Sequence, residues 1–359
     1  MSGSTGRATS SPVPDATSVG DAVWREPVRG GYPSPWVLSL QGRERLEAFR
    51  LGKGGAMPPL YHLTGSRLTK VGDGTADAEM PATAWLTNSA GLIGGGTLAI
   101  LADIAFGCAV ETRVPASTPY TTAELSLTFL RPARPGGMLT AHGQAIHVGR
   151  RVGLSEVFVL DEDETLLAHG TSRLSILPQI PDLPKPPEEW PDVEEPEYET
   201  PAPFLRPAPT QEIPQEVWGE LPGLEVIRRQ IAGELPPPPI HTLTGIEPTE
   251  VSEGRATAVM PASEWLNSPA VRLQGGAITM LADFAMIVAA VTKAEPGVSV
   301  VGVDLKVNFL RPVVGDGGLL TAKAEVEHAG RTLAISRARI ENAEGKPVML
   351  ATSSAMFLR

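Results

Sequence analysis

The sequence predicts an α+β protein in which one module is written twice, each copy a long central helix wrapped by a curved antiparallel sheet. The first observation behind this is an internal repeat at an offset of 180 residues. Gly95-Gly96-Thr97-Leu98-Ala99-Ile100-Leu101-Ala102-Asp103 returns as Gly275-Gly276-Ala277-Ile278-Thr279-Met280-Leu281-Ala282-Asp283, and Phe129-Leu130-Arg131-Pro132 returns as Phe309-Leu310-Arg311-Pro312. Whatever one copy folds into, the other must also fold into, and the two can pack as a homodimer would. The second observation is that the stretch after each glycine pair has helical length and almost no charge, so its helix must be buried on nearly all sides. The third is the run of alternating segments after each helix, punctuated by turn signals, which reads as antiparallel strands.

Taken in order, residues 1–35 are rich in Ser, Thr, Gly and Pro with few apolar residues to bury, and are expected to be a disordered tail. The first module spans 36–177. It opens with an amphipathic helix over 41–52, carrying Arg43, Glu44, Arg45, Leu46 and Phe49. An alternating stretch over 61–80 follows, with a turn at Val71-Gly72-Asp73-Gly74. After the Gly-rich turn over 91–96 come the helix, over 97–112, and strands over 121–130, 137–148, 152–160 and 165–177. Residues 178–214 form a Pro/Glu-rich tract whose prolines forbid helix and ladder alike, hence an extended acidic linker. The second module, 215–359, repeats the order with a leading helix over 221–235.

The formal charge of −11 is a local property. Thirteen acidic and four basic residues lie within 177–236, so nine of the eleven net negative charges belong to the linker region. No basic patch argues for a nucleic-acid partner, and no run of about 18 apolar residues reads as a membrane span. The N-terminal stretch has no apolar core of the signal-peptide kind, and the expected location is cytoplasmic. Cys108 is the lone cysteine, in an apolar run, and reads as small core filler.

Asp103 is the unusual residue. Its same-face helical neighbours are Ala99, Ile100, Phe106 and Gly107, and those of Asp283 are Thr279, Met280, Met286 and Ile287, so neither carboxylate has a cation one turn away. Burial among apolar groups raises a carboxyl pKa, which suits a base or nucleophile near neutral pH.

The combination of Gly95-Gly96, the helix through Asp103 to Ala109, and Phe129-Leu130-Arg131-Pro132 resembles the hotdog-fold thioesterases of the phenylacetyl-CoA thioesterase (PaaI-type) family, over about residues 42–177 and again 222–359. The resemblance implies a tandem hotdog fold, hydrolysis of an acyl-CoA thioester, and an active site between two units. CoA enters as part of the substrate, with no separate cofactor and no metal. The glycine pairs open the helices, where unpaired N–H groups and the positive dipole end offer a thioester carbonyl an oxyanion hole, although glycines there equally serve a tight turn or close helix–sheet packing.

In the family, the Asp of one unit works with the glycine turn and a polar Asn and His of the other, while a Ser or Thr on the strand after the helix holds the attacking water. Carried over, the Asn position is Asn88 in copy one and Ser268 in copy two, with Asn267 beside it. The His position has become Gly94 and Gln274, and the Ser/Thr position is Thr122 but Gly302 in copy two. Two composite sites result. One joins Asp103 and Thr122 to Gln274 and Gly275; the other joins Asp283 to Asn88, Gly94 and Gly95. The first is preferred because it keeps the hydroxyl and a polar residue at the turn.

At the 180 offset none of the six histidines recurs, which argues against a hotdog dehydratase, whose mechanism needs one. The recurring arginine pairs Arg131/Arg311 and Arg151/Arg331 are candidates for the CoA phosphates. The alternative of another class is an acyl-CoA binding or regulatory module without catalysis, favoured by the missing His, by Gly302 and by Ser268. The assembly expected is an intramolecular pseudo-dimer, alone or within a further homo-oligomer.

Overall fold

A computed structural model describes residues 22–209 and 212–359. Copy one comprises α1 (Gly42–Arg50), α2 (Pro59–Thr64), β1 (Arg67–Gly72), β2 (Thr75–Pro81), α3 (Gly95–Glu111), β3 (Tyr120–Phe129), β4 (Met138–Val148), β5 (Val152–Leu160) and β6 (Leu166–Ile176). Copy two comprises α4 (Gln215–Glu220), α5 (Gly223–Ile231), α6 (Pro239–Thr244), β7 (Glu247–Ser252), β8 (Arg255–Pro261), α7 (Gly275–Val291), β9 (Ser299–Phe309), β10 (Leu319–Ala329), β11 (Leu333–Glu341) and β12 (Pro347–Leu358). No helix among the described residues is long and apolar enough to cross a membrane.

Every residue of α3 from Gly96 to Glu111 is buried, as a helix apolar on all sides requires. The alternation expected from residue 61 starts only at Arg67, because Pro59 at the first helical position and left-handed Gly65 just past the end make α2 a helix.

All twelve strands join one antiparallel sheet in the order β1-β2-β4-β5-β6-β3-β9-β12-β11-β10-β8-β7. The seam is β3 against β9, where Ser126 pairs with Lys306, its own repeat equivalent, so a local two-fold axis passes between them. Seam pairing stops at Glu124↔Asn308 on one side and Thr128↔Asp304 on the other. Beyond those pairs, residues 120–122 are laddered to β6 alone and 299–302 to β12 alone, which leaves a crevice on either side of the axis.

Helices α3 and α7 lie antiparallel over the seam. A Cβ at Gly276 would lie 2.3 Å from the Ala99 carbonyl oxygen, and one at Gly96 would lie 2.7 Å from the Met280 Cα, so glycine is what permits the close crossing. One hydrophobic core runs through both copies.

Two sequence expectations are corrected here. The 180 offset holds from α2 to Pro132/Pro312: α1 and α5 match at 181, Gly42 with Gly223, and the turn over 313–318 is one residue longer than its counterpart, so the offset is 181 again after it. Thus Val148↔Gly153 closes the β4–β5 hairpin where Ala329↔Ala334 closes β10–β11. Arg331 therefore matches Arg150, not Arg151, and His147 does recur, as His328. Both histidines are exposed.

The second correction concerns the tail and linker. Residues 1–21 of the expected tail lie outside the described residues, but residues 22–33 are packed on copy two: the Trp265 indole donates to Glu26 O at 3.1 Å, and Asn267 Nδ2 donates to the Tyr32 hydroxyl at 2.8 Å. The end of the linker does the same to copy one, where the Trp85 indole donates to Arg206 O at 2.9 Å. Glu26 and Arg206 are repeat equivalents and form a two-pronged ion pair at 2.6 and 2.8 Å. Each copy thus begins with a strap that crosses to the other copy. The straps hold no more than a single 3-10 turn each, Val23–Arg25 and Pro203–Leu205, and are anchored by single aromatic residues, so they leave no period in the sequence.

Candidate active site

Asp103 sits two turns into α3 and reaches across the helix crossing to the N-terminus of α7. Its Oδ2 accepts the Gly276 amide at 3.1 Å, and its Oδ1 accepts the Thr122 hydroxyl at 2.9 Å. Thr122 is aimed there by a β-bulge immediately after it, where the ladder to β6 skips a residue before Glu124. Burial raises the Asp103 pKa, opposed by the Thr122 hydroxyl and by the Gly276 and Gly275 amides, which favour the anion. The positive end of α7 favours it too.

The two-fold axis generates a second, unequal site. Asp283 Oδ2 accepts the Gly96 amide at 2.7 Å, while its buried Oδ1 has no partner among the described residues. Gly302 stands where Thr122 stands in copy one, and a Cβ there would meet Ile287 and Phe129 at 3.5 and 3.7 Å. An apolar lining thus replaces the hydroxyl. With a single amide to oppose burial, the Asp283 pKa is pushed up to about 6.

Of the residues singled out from sequence, Asp103, Thr122 and Gly275 come together, and the amide that binds the carboxylate belongs to Gly276, one residue further on. Gly275 lies under the Phe309 ring, just as Gly95 lies under Phe129, and Gly96 is the donor to Asp283. Gln274 caps α7 through Oε1, which accepts the Ala277 amide at 2.9 Å, and its Nε2 donates to Ile100 O at 2.8 Å. Both ends of that side chain lock helix to helix, so it is not presented to Asp103. Asn88 Oδ1 accepts the amides of Ala90 and Leu92, at 2.9 and 3.2 Å, and shapes its own turn, as Ser268 does opposite. Arg131 donates to Leu166 O at 2.9 Å and Arg311 to Pro347 O, pinning equivalent turns. Arg151 and Arg331 are exposed.

Sequence reasoning missed Tyr120, Glu111 and Arg45, which form a buried network beside the Asp103 crevice. Glu111 sits two turns beyond Asp103 on the same helical face, and that i, i+4, i+8 spacing through Gly107 was the available signal.

With this geometry in view, likeness to known proteins follows the same lines. The family model described as thioesterase superfamily matches residues 90–168 and again 273–349. The 1,4-dihydroxy-2-naphthoyl-CoA hydrolase of Listeria monocytogenes serotype 1/2a (strain 10403S) is 31% identical over 96 residues, covering 27% of this chain and 76% of that protein. The acyl-coenzyme A thioesterase PaaI of Escherichia coli (strain K12) is 29% identical over 104 residues, covering 29% of this chain and 72% of that one. Among solved structures, a TesB protein of Mycobacterium avium subsp. paratuberculosis superposes with a TM-score of 0.52 at 15% identity, over 84% of this chain and 98% of that one, which bears on fold alone. The chain belongs to the thioesterase superfamily, as a tandem hotdog with two copies of the unit. Its class is that of the thioester hydrolases.

Proposed function

We propose that the chain hydrolyses an acyl-CoA thioester to the free acid and CoA, at the composite site of Asp103, Thr122 and the α7 N-terminus. The observation that carries this is the Asp103 carboxylate, buried, with the Thr122 hydroxyl on one oxygen and the Gly276 amide on the other. A water admitted between Asp103 and Thr122 would be held by the hydroxyl and deprotonated by the carboxylate as it attacks the thioester carbon. The alternative is direct attack by the carboxylate, giving an anhydride that water then opens. In either route the positive end of α7 at Gly275 stabilises the oxyanion and the CoA thiolate leaves.

Only this crevice pairs the carboxylate with a hydroxyl, so we assign turnover to it. The Asp283 crevice, with Gly302 and the unpartnered Oδ1, supports a second reading for that half, as a place that binds the ester without cleaving it. The reading asks for no cofactor beyond the CoA of the substrate and takes the two copies as an intramolecular pair in the cytoplasm. It also treats 36–177 and 215–359 as the hotdog units, with the straps added. The test is thiol release from short, medium, long and aromatic acyl-CoAs by the wild type, Asp103→Asn and Asp283→Asn. Turnover lost only in Asp103→Asn is expected; full activity in that variant would sink the assignment.

A further inference from the structure

At the inner end of the Asp103 crevice lies a set of polar side chains that copy two does without. Arg45 and Glu111, both buried, pair at 3.0 Å, and the Tyr120 hydroxyl donates to the other Glu111 oxygen at 2.9 Å. Arg45 also donates to the carbonyls of Thr118, Leu38 and Leu40 at 3.3 to 3.4 Å. Tyr120 lies two residues before Thr122 on β3, and its hydroxyl rests over Gly107, where a Cβ would come within 3.0 Å of it. Gly107 is one turn beyond Asp103 on α3, about 6 Å along the axis.

Copy two folds the same way with Ile287 for Gly107, Val291 for Glu111 and Val300 for Tyr120. The leading helices match as Gly42 with Gly223, so the Arg45 position is held by Val226, fully buried. The network is therefore not needed to build the module. A buried ion pair is commonly no more stabilising than apolar residues of the same volume, so its presence on one side only points to a task at that site. Small on the helix and large on the strand in copy one has become large on the helix and smaller on the strand in copy two.

We propose that Tyr120, held rigid by Glu111 and Arg45 over Gly107, is the residue that selects the acyl group, closing the inner end of the crevice to all but short or single-ring acyl chains. This rests on the reading of Asp103 as the centre of hydrolysis. CoA carries phosphates that must stay in water, so the buried side of Asp103, toward Gly107 and Tyr120, receives the acyl group. The distance from Asp103 to Gly107 allows a chain of about four carbons, or one ring, beyond the carbonyl before the phenol stops it. Burial holds the Tyr120 phenol well above its ordinary pKa, so it remains a donor to Glu111 and stays in place.

The experiment measures kcat and KM across saturated acyl-CoAs of increasing length and benzoyl-CoA for the wild type, Tyr120→Phe, Tyr120→Ala and Gly107→Ala, with Asp103→Asn as control and a thermal melt of each. The wild type should prefer the short and aromatic esters. Tyr120→Ala should extend the accepted length, raising kcat/KM for each newly accepted methylene by roughly tenfold, through KM, with the pH profile unchanged. Tyr120→Phe should keep the wild-type cut-off, and Gly107→Ala, which narrows the same end, should shorten it. An active Tyr120→Ala with the wild-type length profile overturns the proposal. If Tyr120→Ala does not fold, an unaltered profile in Gly107→Ala does the same. Thiol release absent from the wild type on every ester, or undiminished in Asp103→Asn, would instead bring down the hydrolase reading and this proposal with it.

Discussion

Two aspartates related by the repeat have unlike surroundings, and the difference is one atom group on a neighbouring strand. Asp103 has a hydroxyl and amides to favour its charge; Asp283 has one amide and an orphaned oxygen. Asp103→Asn is expected to lower kcat by about a hundred- to ten-thousandfold, the range of a general base. Because the reactive form is the anion and its pKa is raised, wild-type turnover should fall as pH drops through a value above the ordinary carboxylate range, read from kcat/KM against pH. Asp283 makes a stability prediction of opposite character. Its carboxyl titrates at about 6 when folded against 3.8 in a free chain, so the folded state binds the extra proton between those values. The stability it contributes is full below pH 3.8 and lost as pH rises through about 6, by about 3 kcal/mol. Asp283→Asn should therefore raise the melting temperature above pH 6 and leave it nearly unchanged below 3.8. Equal melting shifts at both pH values would contradict the assigned burial effect.

At the scale of elements, the crossing of α3 and α7 joins fold and site in one contact. Gly276 lets α7 approach Ala99 and also supplies the amide that holds Asp103. Gly276→Ala is expected to cost about 1–3 kcal/mol by denaturant melting, and to remove turnover as well. The straps are a second device at this scale. Each crosses to the opposite copy, and the Glu26–Arg206 pair ties them together near the axis. A double-mutant cycle on Glu26→Ala and Arg206→Ala should report a coupling of about 1 kcal/mol, since the pair is two-pronged but only partly shielded. The four strands after α3 and that helix itself were legible in periodicity to within a residue or two, whereas the first strand was expected six residues too early. The straps and α2 were not, because short segments anchored by Trp, Tyr and Pro carry no period to detect.

At the scale of the whole molecule, one sheet and one core are shared by both copies, so neither is a finished domain. Cutting between residues 178 and 200 and expressing the halves separately should expose the β3 edge and the crossing face of α3, or their equivalents. Each half alone is expected to aggregate or pair with itself, whereas coexpressed halves should copurify and recover thiol release. Halves that stay monomeric and soluble when separate would count against a shared core.

The sequence by itself determined the duplication, the buried helices, the antiparallel strands, and Asp103 after its glycine turn as the candidate centre, with Thr122 added only through the family resemblance. Those follow from local pattern, since repeat, period and an unpaired carboxylate in an apolar run are all visible along the chain. Only the tertiary structure decided which glycine amide meets which carboxylate, that Gln274 and Asn88 have structural employment, and that a one-residue insertion makes Arg150 the counterpart of Arg331. The buried Arg45–Glu111–Tyr120 network belongs there as well, because its members lie 66 and 9 residues apart in the chain and meet only when β3 and α1 close on α3. Contacts between distant segments depend on packing, and packing at one site differs from the other here through substitutions that a single copy, read alone, gives no reason to compare.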